Sequence, residues 1–284
     1  MPEWQLVACD LDGTLLDDEG VIPEENKKML QKISQQGAII ALASGRMTDC
    51  IIPFAEQLGI DCAIIAYNGA LIRARAKEKR KIIFHNPVPA IYGDFLIDYC
   101  QKNQFHLNYY LNDCLYARED EKLRKYALIY ARQTAAVFHF VPDLKIFLGQ
   151  QPTKLILITD VFNEKQPFRT RDYQYSFFQQ KMGDRINLFR TNPEYLEFLN
   201  KEVDKGVGLL KLASFYGIRQ SAIVAFGDGE NDADMLLAAG TGVAMANAKE
   251  KVKKLAKIVL DWTNNEAGVA RFLKNEMKNS NTGK

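Results

Sequence analysis

Cys9-Asp10-Leu11-Asp12-Gly13-Thr14-Leu15-Leu16 is the stretch around which the chain is organised. Leu6-Val7-Ala8 runs into it, short, apolar and β-prone, with Trp4 a little upstream, and reads as a buried strand. The strand stops abruptly in two carboxylates, a glycine and a threonine. Open α/β sheets bind their ligands at the C-terminal ends of such strands. Side chains alternate along a strand, so the pattern lets Asp10 and Asp12 share one face, with Leu11 turned the other way. Gly13 permits a sharp turn after them. Two carboxylates this close repel unless a shared proton or a cation intervenes. A divalent, oxygen-loving metal, magnesium foremost, resolves the repulsion. Taken alone, Asp12-Gly13 is equally an ordinary turn after a strand; the rest of the chain separates the two readings.

The opening texture continues. Pro23 starts a helix, Glu24 and Glu25 complement its dipole, and Gly37 ends it. Ala38 to Ala43 is a second apolar strand, ending in Ser44-Gly45-Arg46. A helix with Ile51, Ile52, Phe54 and Leu58 follows, kinked or started late by Pro53. Cys62 to Tyr67 is a third strand, and Asn68-Gly69 signals a hairpin with Leu71-Ile72 as the return. Strands alternating with single helices make βαβ units and a parallel sheet, whose strands are apolar throughout because both faces are covered.

From about residue 73 the pattern breaks. Arg73 to Lys81 is basic and reads as a solvated hairpin arm. Beyond it, aromatic strand-like runs (82–84, 105–111, 114–116, 136–141 and 154–159) mix irregularly with helix-like segments (91–102, 121–133 and 163–182). That irregularity predicts an inserted α+β domain with the aromatics as its core. Near residue 195 the first texture returns. Tyr195 to Leu199 reads as a strand, Lys205-Gly206 opens a helix closed by Gly217, and Ala222 to Phe226 is a buried strand ending in Gly227-Asp228-Gly229-Glu230-Asn231-Asp232. A short helix through Met235-Leu236-Leu237, a strand at Val243-Ala244-Met245 and two helices complete the chain, with Lys278 to Lys284 frayed.

Composition narrows the function classes. The 284 residues suffice for one large domain or two smaller ones. Hydrophobic residues make up 47%, charged residues 25%, and the formal net charge is +2, which gives no nucleic-acid surface and no acidic tail. No basic region followed by a long apolar run opens the chain, so neither a signal peptide nor a membrane partner is expected. Cys9, Cys50, Cys62, Cys100 and Cys114 are odd in number, dispersed and without a Cys-x-x-Cys pair; they read as buried thiols of a cytoplasmic protein. His85, His106 and His139 lie far apart in apolar or aromatic surroundings and read as structural, not as a zinc site.

Four polar sites therefore stand at strand or helix ends: Asp10/Asp12, Ser44, Lys205 and Asp228/Asn231/Asp232. Parallel strands end at one edge, where three of these meet, and Lys205 at a helix start reaches the same edge. Neither a Gly-x-x-x-x-Gly-Lys-Ser/Thr loop nor a Gly-x-Gly-x-x-Gly fingerprint is present. Carboxylates, one cation, a hydroxyl and loop N–H groups are what phosphoryl transfer to a carboxylate needs. The acids hold magnesium, the metal and lysine screen the phosphoryl charge, and the hydroxyl and amides hold its oxygens.

Asp10-Leu11-Asp12-Gly13-Thr14-Leu15-Leu16, Ala43-Ser44-Gly45-Arg46, Lys205-Gly206 and Gly227-Asp228-Gly229-Glu230-Asn231-Asp232 resemble, in order, the four motifs of the haloacid dehalogenase superfamily. Gly242-Val243-Ala244-Met245-Ala246-Asn247-Ala248 and Gly268-Val269-Ala270 resemble its Cof-like phosphatase branch, although Ala246 and Ala267 stand where that branch often has glycine and an acid. The resemblance implies Asp10 as the nucleophile that forms an aspartyl-phosphate, and Asp12 as the acid that protonates the leaving oxygen and then deprotonates water. It implies that Ser44, Gly45 and Lys205 bind the phosphoryl group and that Asn231 lines the pocket. Asp228 would bind magnesium with Asp10 and the backbone carbonyl of Asp12, and Asp232 would support either the metal or Lys205. A second carboxylate at Asp12 favours phosphatase over dehalogenase chemistry, because an alkoxide leaving group needs a proton.

Spacing places the insertion. Ser44 follows Asp10 by 34 residues, room for one βαβ unit, whereas Lys205 follows Ser44 by 161. The expected architecture is an α/β Rossmann-like core from residues 1–81 and 190–284, with a C2-type α+β cap from 82–189 that closes over the site and selects the substrate. The expected function is a magnesium-dependent phosphatase of small phosphorylated metabolites, sugar phosphates first. A hexose-phosphate phosphomutase and a non-catalytic sugar-phosphate-binding protein are the competing readings; product analysis and binding without turnover discriminate them. The sequence names no protein partner, substrate or oligomeric state.

Overall fold

The structure, a computed structural model, describes residues 4–161 and 163–282. The described chain divides into two compact units, one running to Phe84 and resuming at Asp204, the other spanning His85–Val203.

The first unit holds β1 (Leu6–Asp10), α1 (Glu24–Gln35), β2 (Ile39–Ala43), α2 (Ile52–Leu58), β3 (Ala63–Ala66), β4 (Leu71–Arg73) and β5 (Ile82–His85). The second contains α3 (Ala90–Asn103), β6 (His106–Leu111), β7 (Cys114–Arg118), α4 (Arg124–Thr134), β8 (Phe138–Val141), β9 (Lys154–Ile158), α5 (Arg171–Met182), β10 (Ile186–Arg190) and β11 (Tyr195–Asn200). The first then resumes with α6 (Lys205–Phe215), β12 (Ile223–Gly227), α7 (Ala233–Ala238), β13 (Thr241–Ala244), α8 (Glu250–Lys253), β14 (Ile258–Val259) and α9 (Gly268–Thr282).

An eight-stranded sheet in the order β14-β13-β12-β1-β2-β3-β4-β5 forms the first unit. The six strands from β14 to β3 pair in parallel, and β4 returns antiparallel from the Asn68-Gly69 turn. All five residues of β1, β2 and β12 are buried, as a doubly covered parallel sheet requires. Alternation sends Ala225 into a cluster with Leu209 and Leu212 of α6 and Met235 of α7, while Phe226 turns the other way onto Phe272 of α9. Helices thus cover both faces. Strand order runs outward in both directions from β1 and β12, which makes their C-terminal ends the switch point of the sheet.

The second unit is a six-stranded sheet ordered β10-β11-β9-β6-β7-β8, antiparallel except for the β7–β8 pair. Leu107, Tyr109, Leu155, Leu157, Leu196 and Phe198 face an aromatic core built with α3 and α5, in which Tyr99 stacks on Phe105 and Phe177. The aromatic runs are therefore its core, as expected.

Several boundaries shift. The units divide at Phe84/His85 and Val203/Asp204, not at 81/82 and 189/190. Ile83 and Phe84 pack on the first core, so β5 extends the first sheet. β11, expected to open the returning domain, pairs antiparallel with β9 and β10 in the second sheet. Apolar alternation marks a strand but not the sheet it joins. The expected helix over 163–182 begins only at Arg171, after a turn that donates the Arg169 N–H to the Gln166 carbonyl. Pro53 marks a late start, in the first turn of α2. The basic arm after β4 is pinned, with Arg75 paired to Glu78 and Arg80 donating to the Cys62 carbonyl. Four cysteines are buried, whereas Cys114 is half-buried. The last helix continues through Thr282, past the expected fraying point; Gly283 and Lys284, like the opening Met1-Pro2-Glu3, lie outside the described residues.

Candidate active site

β1 delivers Asp10 at its last position, and the chain then turns through Leu11–Leu15, closed by a hydrogen bond from the Leu16 N–H to the Leu11 carbonyl (2.9 Å). Gly13 makes that turn possible: it adopts φ +81°, and a Cβ there would lie 2.6 Å from the Asp228 carboxylate. Register aligns Asp10 with Ala43, so Ser44 and Gly45 leave the neighbouring strand at the same edge; on the other side Cys9 aligns with Phe226, two residues before Asp228. α6 brings the cation. Its start lies against the Tyr67–Gly69 turn, where a Cβ on Gly69 would strike the Asp204 backbone. Asp204 caps the helix by accepting the Val207 N–H at 2.7 Å, and Lys205 points inward, fully buried.

The Lys205 ammonium lies 2.5 Å from both Asp10 Oδ1 and Asp232 Oδ1. The other Asp232 oxygen accepts the backbone N–H groups of Asp228 (3.0 Å) and Gly229 (2.9 Å). Asp228 accepts from the Thr14 hydroxyl at 2.7 Å. Burial, reinforced by Asp232, pushes the Asp10 carboxyl well above the usual carboxylate range, with Lys205 pulling against it. Burial raises Asp228 to about 6, against the Thr14 hydrogen bond and with Asp232 adding to the rise. Burial opposes the charge of Lys205, but Asp10 and Asp232 outweigh it and hold the ammonium above its ordinary value.

Asp10, Asp228 and Asp232 present carboxylate oxygens within 4.8 Å of one another. A single ammonium among three carboxylates leaves negative charge in surplus. Hard oxygen donors with surplus charge fit a divalent cation of the magnesium or calcium type. Because both Asp232 oxygens are already engaged, Asp10 and Asp228 are the side chains free to hold the ion, with Asp232 in support.

The structure brings together Asp10, Lys205, Asp228 and Asp232. Ser44 is buried at the adjacent strand end, its hydroxyl accepting the Arg46 N–H at 3.2 Å. Asn231 turns to Asn68, donating to its Oδ1 at 3.1 Å. Asp12 stands at the rim of this cluster, near enough for its charge to act on Asp228. Its carboxylate does not join Asp10 on one face; it is solvent-exposed and accepts two hydrogen bonds from Arg46. β1 has ended at Asp10, so strand alternation no longer governs Asp12.

Four contributors were given no role by sequence reasoning. Arg46 follows the small strand-end pair and binds Asp12; Thr14 closes on Asp228. Asn68, at φ +53°, has its amide against Gly45, where a Cβ would lie 3.2 Å from it. Asn247 donates to the Gly13 carbonyl at 2.7 Å. A position at the same sheet edge was the available signal for Arg46 and Thr14, and also for Asn247, which follows the end of β13 within the stretch that resembles the Cof-like branch.

The first unit is a Rossmann-like, largely parallel α/β sheet with a carboxylate-rich cluster at its switch point. A family model described as haloacid dehalogenase-like hydrolase matches residues 7–273, and the chain belongs to that family. Among curated relatives, a 5-amino-6-(5-phospho-D-ribitylamino)uracil phosphatase from Bacillus subtilis is 30% identical over 95% of this chain and 96% of its own length. A phosphoglycolate phosphatase from Methanopyrus kandleri is also 30% identical, covering 95% of each. Among solved structures, a Thermotoga maritima protein superposes with a TM-score of 0.84 at 31% identity over 96% of this chain and 97% of that one. A haloacid dehalogenase-like hydrolase from Bacteroides thetaiotaomicron gives 0.83 at 29% identity over 96% and 99%. The protein is an enzyme of the phosphatase type within this superfamily.

Proposed function

We propose that the protein is a magnesium-dependent phosphatase of small phosphomonoesters, sugar phosphates first, working through an aspartyl-phosphate on Asp10. The observation that carries this is the buried Lys205 ammonium, 2.5 Å from both Asp10 and Asp232 at the sheet's switch point. It holds Asp10 against a fixed positive charge, beside the Asp228 carboxylate with which a cation could be shared. Asp10, Asp228 and the backbone carbonyl of Asp12 would hold magnesium, which when bound neutralises the carboxylates and the phosphoryl oxygens.

Asp10 attacks phosphorus while Asp12 gives its proton to the departing oxygen, so that the ester bond breaks as the acyl phosphate bond forms. Asp12, now ionised, takes a proton from the water that displaces Asp10, which restores both side chains. Ser44, the Gly45 backbone and Lys205 hold the phosphoryl oxygens, Asp232 fixes Lys205, and Asn231 lines the entrance. The unit spanning 85–203 is read as the substrate-selecting cap, since it is inserted between the second and third motifs. Two relatives at 30% identity are named for small phosphorylated metabolites, which supports a compact substrate. No disulfide joins the cysteines among the described residues, in keeping with action in the cytoplasm.

The test is kcat/KM across sugar phosphates, nucleotides, flavin and pyridoxal phosphates and a phosphopeptide, with Asp10→Asn as control. Sugar phosphates should lead, the phosphopeptide should trail, and Asp10→Asn should be folded and inactive. A phosphopeptide that outranks every metabolite defeats the small-substrate reading, and a folded, active Asp10→Asn defeats the covalent one.

A further inference from the structure

Asp10 and Asp12 lie two residues apart and are held by opposite means. Asp10 is buried against Lys205. The Asp12 side chain is 58% exposed, and among the described residues its carboxylate has no hydrogen-bond partner except Arg46. Arg46 grips it bidentately: Nε donates to Oδ2 at 3.0 Å and Nη2 donates to Oδ1 at 2.6 Å. A fork of this kind fixes the plane of a carboxylate as well as its place, which a single ammonium does not.

Arg46 is itself anchored at three points. Its backbone N–H donates to the Ser44 hydroxyl at 3.2 Å, its carbonyl accepts the Tyr67 N–H at 3.0 Å, and its guanidinium lies over the Phe54 ring of α2, 5.5 Å from the centroid. An exposed aspartate without such a partner exchanges rotamers freely on a short timescale. A proton donor that spends most of its time misdirected loses rate in proportion.

We propose that Arg46 is the positioning residue of Asp12, aiming its carboxyl group at the oxygen of the leaving group and later at the attacking water. This rests on the reading of Asp12 as the general acid and base. Arg46 touches neither reacting bond. It donates the same two hydrogen bonds before and after each transfer and neither gains nor loses a proton, while Asp12 alternates between acid and carboxylate. Arg46 belongs to the second strand end, so the hydroxyl that would bind phosphate and the fork that aims the acid come from one three-residue segment, Ser44-Gly45-Arg46.

The experiment uses two esters that differ in their need for an acid. 4-Nitrophenyl phosphate leaves as a stable phenolate; glucose 6-phosphate leaves as an alkoxide that must be protonated. kcat/KM is measured on both for the wild type, Arg46→Ala, Arg46→Lys, Asp12→Asn and Asp12→Asn/Arg46→Ala, with thermal melts to verify folding. On glucose 6-phosphate, Arg46→Ala should lose about 10²-fold, the scale set by misplacing a catalytic group, and on the nitrophenyl ester only a few-fold. Arg46→Lys, which retains the charge without the fork, should fall between the wild type and Arg46→Ala, and the double variant should be no worse than Asp12→Asn alone. Equal losses on both esters, or losses that multiply in the double variant, would overturn the proposal and make Arg46 a phosphate-binding group. Near-normal Arg46→Ala beside an impaired Asp12→Asn overturns it alone; an Asp12→Asn variant with full activity on glucose 6-phosphate removes the underlying reading of Asp12 as well.

Discussion

Each unit of the molecule buries a lysine against carboxylate, and the two lysines are there for different reasons. In the second unit Lys154 meets Glu197 at 3.2 Å, and the other Glu197 oxygen accepts the Thr191 hydroxyl at 3.1 Å. The Lys154 ammonium also lies over the Tyr110 ring, 5.1 Å from its centroid. That ion pair joins a cation to an anion. In the first unit Lys205 meets Asp10 and Asp232 with Asp228 beside them, and charge is not balanced. A balanced buried pair costs desolvation and recovers it in structure. An unbalanced one calls for a shared proton or a further cation, and such clusters concentrate at working sites.

Removing each lysine in turn sharpens this contrast. Lys154→Met should destabilise the protein by ~3–5 kcal/mol, because Glu197 is left buried and unpaired. Adding Glu197→Leu should recover most of the loss. Lys205→Met should cost a similar amount in metal-free protein, yet magnesium should restore part of it, since a cation can take over the missing charge. Lys154→Met should not respond to magnesium. Urea unfolding with and without the metal measures all of these; equal magnesium responses in the two variants would erase the distinction.

A smaller effect separates the units by pH. His106 of the second unit is 3% exposed and bonded to Asn108 at 2.9 Å; burial pushes it down to about 4, with the Asn108 hydrogen bond and then Asp120 pulling the other way and Arg118 adding to the fall. The folded state therefore holds fewer protons than the unfolded state between pH 6.5 and 4. Its contribution is intact above about 6.5 and is lost as pH falls through that window, up to about 3 kcal/mol at the acid end. His106→Gln should flatten the slope of stability against pH there. An unchanged slope would mean that other groups carry it.

The two units were not equally legible in the sequence. The first could be read in detail because its strands are apolar throughout and end in chemistry: Asp10, Ser44 and Asp228 each follow a buried run, and a parallel sheet sends such ends to one edge. In the second, the existence of an α+β fold with an aromatic core was readable, but not its edges. Tyr195-Leu196-Glu197-Phe198-Leu199 has the same alternation in either sheet, and only pairing with β9 and β10 assigns it. Within the site, Asp10, Lys205, Asp228 and Asp232 were read from residue types at strand and helix ends, and their side chains lie together. The outward turn of Asp12 onto Arg46 escaped, because a side chain beyond the last strand residue is directed by its partner and not by periodicity. Asn247 escaped for a related reason: it reaches the Gly13 carbonyl from 234 residues away.

The most direct test of the surplus charge is a calorimetric titration of the chelator-treated protein with magnesium, paired with thermal melts of the wild type and Asp228→Asn. The wild type should bind the ion and melt at a higher temperature in its presence, and Asp228→Asn should bind about 10-fold or more weakly with little thermal response. A wild-type protein that gives no binding heat and melts at the same temperature with and without magnesium would contradict the reading of Asp10, Asp228 and Asp232 as a cluster completed by a divalent cation.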